Sequence, residues 1–189
     1  MLRDVTRERS RRVSLRLIRN LLCSVLMLLP TAQLHAGERA DFIAAERAYA
    51  TGDGTAYKRL KQQLADYPLL QYLEYRELRS RLSAASPASI SRFLDAYPDT
   101  PLAERLRKAW LNRLADGKRW ADYARFFDPV DSDITRRCHY LHALISTGRK
   151  QQAFKEVPAI WRHGHSRPEA CNPVFDAWRS AGHLTTDHA

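Results

Sequence analysis

Leu64-Ala65-Asp66-Tyr67-Pro68 returns thirty residues later as Leu94-Asp95-Ala96-Tyr97-Pro98. Counted from proline to proline, Phe126-Phe127-Asp128-Pro129 follows after thirty-one residues and Val157-Pro158 after twenty-nine more. In the first three places an amphipathic pattern ends on an aromatic residue beside a proline, and a second pattern begins just beyond it. The fourth match is weaker, because Pro158 fits inside a helix. A spacing of about thirty with two helices per unit marks an α-solenoid, in which stacked hairpins complete a core that no single hairpin can bury. The competing reading is a non-repetitive helical bundle with a fortuitous spacing.

Working outward, apolar residues recur at helical intervals. Leu102, Leu106, Ala109, Trp110 and Leu114 form one stripe, and Tyr75, Leu78 and Leu82 another. No segment alternates with the period of a strand. Ser86-Pro87, Thr100-Pro101 and Asn172-Pro173 each set a capping side chain before a proline at the first helical position, where the missing N–H costs nothing. Gly52, Gly117, Gly148, Gly164 and Gly182 suit helix ends, where a left-handed residue is needed. These marks predict helices over 38–51, 55–66, 69–83, 87–96, 101–115, 118–127, 133–146, 149–163 and 173–181. The expected fold class is therefore all-α: an α-solenoid or superhelix of antiparallel helical hairpins, about nine helices in all. A stack missing its distal repeats would leave an apolar end face and self-associate.

The 189 residues carry 31 Lys+Arg against 21 Asp+Glu, a formal charge of +10. Half of that surplus belongs to residues 1–36, where seven arginines face Asp4 and Glu8. Arginines up to Arg19 precede the apolar run Leu21 to Leu29, and Thr31-Ala32-Gln33-Leu34-His35-Ala36 closes on a small residue. This is the build of an export signal with cleavage after Ala36. The apolar run rises only ~14 Å as a helix, about half of a bilayer core, so no permanent membrane span is expected. Bulky Leu22 before Cys23 argues against lipid attachment. Ser10-Arg11-Arg12 is a minority hint of a twin-arginine route. Residues 37–189 form the expected mature domain, and their smaller surplus gives no case for a nucleic-acid partner.

Cys138 and Cys171 are the cysteines left after that cleavage. In an oxidising compartment the pair reads most simply as one disulfide. The alternative is zinc, with His139 and His142 on one helix face and His163 and His165 near Cys171, although no standard ligand spacing is present. No cofactor motif, phosphate loop or nucleophile elbow is found. Glycoside chemistry needs a carboxylic acid held protonated in a cleft. Here Glu8, Glu38, Glu46 and Glu104 each precede an arginine, which suits solvated helix faces. Trp110, Trp120, Trp161 and Trp178 read as packing between repeats before they read as sugar platforms. Arg76, Arg79, Arg81, Arg105, Arg107 and Lys108 form either a basic inner surface for an acidic polymer or two solvated faces.

Three stretches carry a family resemblance. Tyr67-Pro68-Leu69-Leu70-Gln71-Tyr72-Leu73-Glu74-Tyr75-Arg76-Glu77-Leu78 resembles a segment of the soluble lytic murein transglycosylases. So do the run from Phe93 to Arg107 with Trp110-Leu111, and Cys138-His139-Tyr140, Gly148-Arg149 and the run from Cys171 to Trp178. Together they cover nearly all of residues 38–184. The resemblance implies the N-terminal part of a U-shaped superhelical domain in the bacterial periplasm, with peptidoglycan as partner. It also favours the disulfide between Cys138 and Cys171.

That family cleaves the β-1,4 bond between N-acetylmuramic acid and N-acetylglucosamine to 1,6-anhydro products, using a glutamate of a Glu-Ser motif in a distal catalytic domain. Residues 1–189 contain no Glu-Ser dipeptide, so no catalytic, cofactor or metal residue is assigned. The expectation is a truncated segment, inactive alone, whose missing partners are the rest of the superhelix and the catalytic domain. The alternative is a stand-alone periplasmic scaffold that engages peptidoglycan or a protein.

Overall fold

A computed structural model describes residues 29–130, 132–162 and 165–185. Among these residues there are nine α-helices and no strand. They are α1 (Leu29–Thr51), α2 (Gly54–Gln63), α3 (Leu70–Ser80), α4 (Pro87–Ala96), α5 (Pro101–Asp116), α6 (Trp120–Phe126), α7 (Ile134–Ser146), α8 (Lys150–Trp161) and α9 (Asn172–Ser180). Short 3-10 turns lie at Leu82–Ala84 and Glu169–Cys171. The fold class is the expected one, all-α and assembled from antiparallel hairpins in the manner of an α-solenoid. The positively charged run and most of the apolar run of the expected export signal lie outside the described residues. Leu29 to Ala36 belong to α1, which therefore starts about one signal-peptide tail earlier than residue 38.

The chain divides into two compact units, residues 1–73 and 74–189. In the first, α1 and α2 close over Ala45, Ala48, Tyr57, Leu60, Leu64 and Leu73. Asp53 starts α2 by accepting the Ala56 N–H at 2.9 Å, and the Tyr57 hydroxyl donates to the Leu73 carbonyl at 3.3 Å. In the second unit one core gathers Ile90, Phe93, Leu106, Trp110, Leu114, Tyr123 and Phe126. Another gathers Leu141, Leu144, Val157, Val174 and Trp178 around the bonded pair Cys138 and Cys171, whose Cα atoms are 4.8 Å apart. The tryptophans that a glycan could have stacked on are thus largely core: Trp110 and Trp178 are each 1% exposed. The outer face of α9 is polar, with Asn172, Asp176, Arg179 and Ser180 exposed.

Two proline caps form as predicted. The Ser86 hydroxyl accepts from the Ser89 N–H at 3.1 Å and the Thr100 hydroxyl from the Ala103 N–H at 3.2 Å. Asn172 does not cap. The 3-10 turn runs straight into α9 and draws Asn172 into the helical region (φ −55°, ψ −49°), so it is the first helical residue instead. Pro158 lies inside α8, which removes the fourth repeat match as a helix boundary.

The clearest periodicity is in how helices end. Arg119 N–H reaches the Leu114 carbonyl at 2.8 Å, and thirty residues on Arg149 N–H reaches the Leu144 carbonyl at 2.8 Å. Asp53 N–H to Ala48 and His183 N–H to Trp178 close α1 and α9 in the same way. This closure needs one left-handed residue. Gly52, Gly148 and Gly182 supply it with φ between 77° and 83°. At the fourth site the expectation of Gly117 fails: its φ is −82°, and Lys118 takes the left-handed conformation at 52°. A Cβ there costs roughly 1 kcal/mol. Lys118→Gly is therefore expected to raise stability by about 0.5–1 kcal/mol, part of the relief being offset by the freer unfolded chain. Urea midpoints of the two proteins test this, and a lower midpoint for the variant refutes it.

Candidate functional site

The second unit carries a groove built around one ion pair. Phe127 caps the C-terminus of α6, and the chain turns at Asp128, whose Oδ1 accepts the Val130 N–H at 3.0 Å. Its Oδ2 accepts from Arg107 of α5 at 2.6 Å. A cavity of about 410 Å³ lies on one side of this pair, lined by Pro98, Asp99, Thr100, Glu104 and Val130 among others. A smaller one of about 210 Å³ also includes Arg107 and Asp128 in its wall, with Ser91, Asp95, Arg125 and Phe127. Arg125 donates to the Ser91 hydroxyl at 3.0 Å and so ties α6 to α4.

One carboxylate of this groove is tied to a neighbouring cation. Glu104 accepts a hydrogen bond from Lys108, and that ammonium, first by the bond and then by its charge, holds the carboxyl below its ordinary range. A general acid for a glycosidic oxygen needs the opposite shift. A carboxylate paired with a guanidinium, as Asp128 is with Arg107, can hold and orient a polar ligand through hydrogen bonds.

Of the six cations singled out in the sequence, three are held in ion pairs. Arg107 is held by Asp128, Lys108 by Glu104 and Arg81 by Glu77 at 2.5 Å. Arg76, Arg79 and Arg105 are exposed. A pair such as Arg107 and Asp128, 21 residues apart, leaves no periodic trace in a sequence. The sole hint was Asp128-Pro129, read only as a repeat boundary.

The histidines are packing elements. Trp120 at the start of α6 lies against His142 (ring centroids 4.5 Å apart) and stacks on His139 at 5.9 Å. Burial pushes both imidazoles below their ordinary range, and for His142 the neighbouring His139 adds to this. Tyr123 donates to the Arg136 carbonyl at 3.1 Å, and burial raises its hydroxyl well above the usual tyrosine range. Tyr97 donates to Glu74 at 2.9 Å, and burial followed by that bond lifts it to about 12. Phe127 lies flat on Tyr140 at 4.1 Å. The aromatics of the repeated motifs therefore join neighbouring helices. His163 of the zinc alternative lies outside the described residues. Cys138 and Cys171 are bonded to each other, and among the described residues no group of three or more His, Cys, Asp or Glu could hold a metal ion. No helix among them is long and apolar enough to cross a membrane.

No protein-family model matches the sequence. Among characterised proteins, the soluble lytic murein transglycosylase of Escherichia coli K12 is 28% identical over 145 residues, which is 77% of this chain and 22% of that protein. The protein of the same name from Salmonella typhimurium is 33% identical over 119 residues, 63% of this chain and 18% of its own length. Among solved structures, the 70 kDa soluble lytic transglycosylase of E. coli superposes with a TM-score of 0.67 at 26% identity, covering 81% of this chain and 25% of that one. Its complex with bulgecin A gives 0.68. The lytic transglycosylase Slt of Pseudomonas aeruginosa, in an inactive mutant form, gives 0.63 at 32% identity, covering 78% of this chain and 24% of the other. The chain is thus a homologue of soluble lytic murein transglycosylases, and it spans about a fifth to a quarter of their length.

Proposed function

We propose that this homologue of the soluble lytic murein transglycosylases supplies a non-catalytic helical segment that works on peptidoglycan, and that residues 1–36 export it to the periplasm. The observation that carries the reading is the coverage: sequence and fold match a transglycosylase over about a quarter of its length and over most of this chain. The chemistry of the groove supports it too. Glu104, its carboxyl held down by the adjacent ammonium, is suited to binding and positioning rather than to protonating a glycosidic oxygen.

The test is incubation of the full chain with purified murein sacculi. The expected result is that the chain co-sediments with sacculi while no 1,6-anhydro-muropeptide appears in the supernatant. Release of anhydro products by this chain alone would overturn the non-catalytic assignment. Failure to sediment would overturn the peptidoglycan assignment.

A further inference from the structure

The surplus positive charge of residues 37–189 is confined to the second unit. Residues 37–73 hold five basic and five acidic side chains, so the net +5 comes from residues 74–189. Part of it is ordered along one edge. Trp120 opens α6 beside His142, one turn before α7 ends at Ser146, so the α5–α6 turn and the α7–α8 turn share an edge. His183, just past the end of α9, lies 5.0 Å from Phe154 near the start of α8, which adds a third connection to the same edge. Arg113, Lys118, Arg119, Arg149, Lys150 and His183 all stand there and all are exposed. Against them are Asp116 and Asp122, and Asp122 is already taken by Arg119 at 2.5 Å.

Internal contacts account for Arg119, which pairs with Asp122 and lies against the Trp110 ring, but not for the rest of this row. Basic residues at a helix C-terminus interact favourably with the last carbonyls, which explains Arg113 in the last turn of α5. Arg119 and Arg149, however, are the N-caps of α6 and α8, and Lys150 is the first residue of α8. There the dipole of the helix that begins opposes a cation, while the C-terminus that the Arg119 and Arg149 N–H groups close favours one, so the dipoles give no net reason for the row. Neither N-cap side chain satisfies a helix N–H. Arg149 turns instead to the Thr147 hydroxyl at 3.3 Å, while Arg113, Lys118 and Lys150 have no anionic partner among the described residues. Lys118 moreover occupies the left-handed position that the three equivalent turns give to glycine. Backbone strain at an exposed cation with no anionic partner points to a contact outside the chain.

We infer that this edge is a docking rail for a carboxylate-bearing polyanionic strand. Resting on the reading above, the carboxylates are those of the peptide-substituted glycan of murein. The Arg and Lys side chains sit on two successive inter-helix turns, and packed helices lie 8–10 Å apart, so the two charged groups are about 10–20 Å from each other. A spacing of this kind fits a repeating strand. Among the described residues the edge offers no apolar wedge beyond Leu184, 39% exposed, with which to enter a bilayer.

The experiment uses the full chain, Lys118→Gly/Lys150→Gln, and a control with the same charge loss elsewhere, Arg92→Gln/Lys155→Gln. Sedimentation is measured with native sacculi, with sacculi whose carboxylates have been amidated, and with phosphatidylglycerol vesicles. The edge variant should fold, since its first substitution relieves strain, and its melting temperature confirms that. Expected is a loss of about tenfold or more in sacculus affinity for the edge variant, little change for the control, and a similar loss for wild type on amidated sacculi. Equal binding by wild type and edge variant overturns the rail and leaves the murein reading intact. Binding to vesicles but not to native sacculi overturns the rail in favour of a lipid surface. No sacculus binding by the wild type overturns both readings.

Discussion

Reducing the Cys138–Cys171 bond is expected to lower the stability of the second unit by about 3–4 kcal/mol, the entropy released to the unfolded chain when a span of this size is no longer closed. The bond links residues 33 apart, joining α7 to the 3-10 turn that opens α9. Everything between them is held inside the loop: α8 packs Ala153, Phe154, Val157 and Ile160 into the core that contains the bridge. Both cysteines are 0% exposed, so thiol reagents should reach them only after unfolding. The measurement is a urea titration of wild type and Cys138→Ala/Cys171→Ala, with wild type repeated in dithiothreitol. A lower midpoint is expected for both, with a somewhat steeper slope because the unfolded chain is no longer cross-linked. Coincident curves, or two free thiols by mass spectrometry of non-reduced protein purified from an oxidising compartment, would falsify the assignment.

Trp110 is expected to matter as much in the neighbouring core. It is 1% exposed in α5 and meets Phe126 of α6 edge-on at 6.0 Å, with the Arg119 guanidinium 5.4 Å from the centre of its ring. Trp110→Ala removes the largest side chain shared by α5 and α6 and leaves a void that two helices cannot collapse into, a loss of about 3–5 kcal/mol. Trp110→Phe should cost much less, on the order of 1–2 kcal/mol. The indole Nε1 is buried without a hydrogen-bond partner, so phenylalanine gives up packing area while removing an unsatisfied donor. Chemical denaturation of both variants separates the contributions. If the phenylalanine variant is as damaged as the alanine one, the indole N–H has a partner that this account lacks.

Much of the fold could be read in the sequence because its punctuation is chemical and local. Pro87 after Ser86 and Pro101 after Thr100 start helices where they were expected, as does the fold class that follows from them. The misreadings fall where a neighbouring element decides. Asn172 carries the right side chain for a cap, yet the preceding 3-10 turn leaves it inside the helix. Gly117 lies in the right turn, but the register of the hydrogen bonds puts Lys118 in the left-handed position. The Tyr-Pro motif marks two turns that differ in detail: α2 stops at Gln63, well before Tyr67, whereas α4 runs to the residue before Tyr97. The groove was the least legible part. Arg107 meets Asp128 through a turn between helices, and neither residue's surroundings in the chain announce the other.

The matched endings at Leu114 and Leu144 bear on how such a chain can change length. Both hand the backbone to the next helix through the same hydrogen bond, in the same direction, thirty residues apart. A segment cut at the first junction and resumed at the second meets a backbone of identical hand and register, so gain or loss of one whole segment leaves the junction chemistry unaltered. An insertion of any other size must rebuild a junction. Such a chain is therefore expected to accept gain or loss of one hairpin more readily than an insertion of another length.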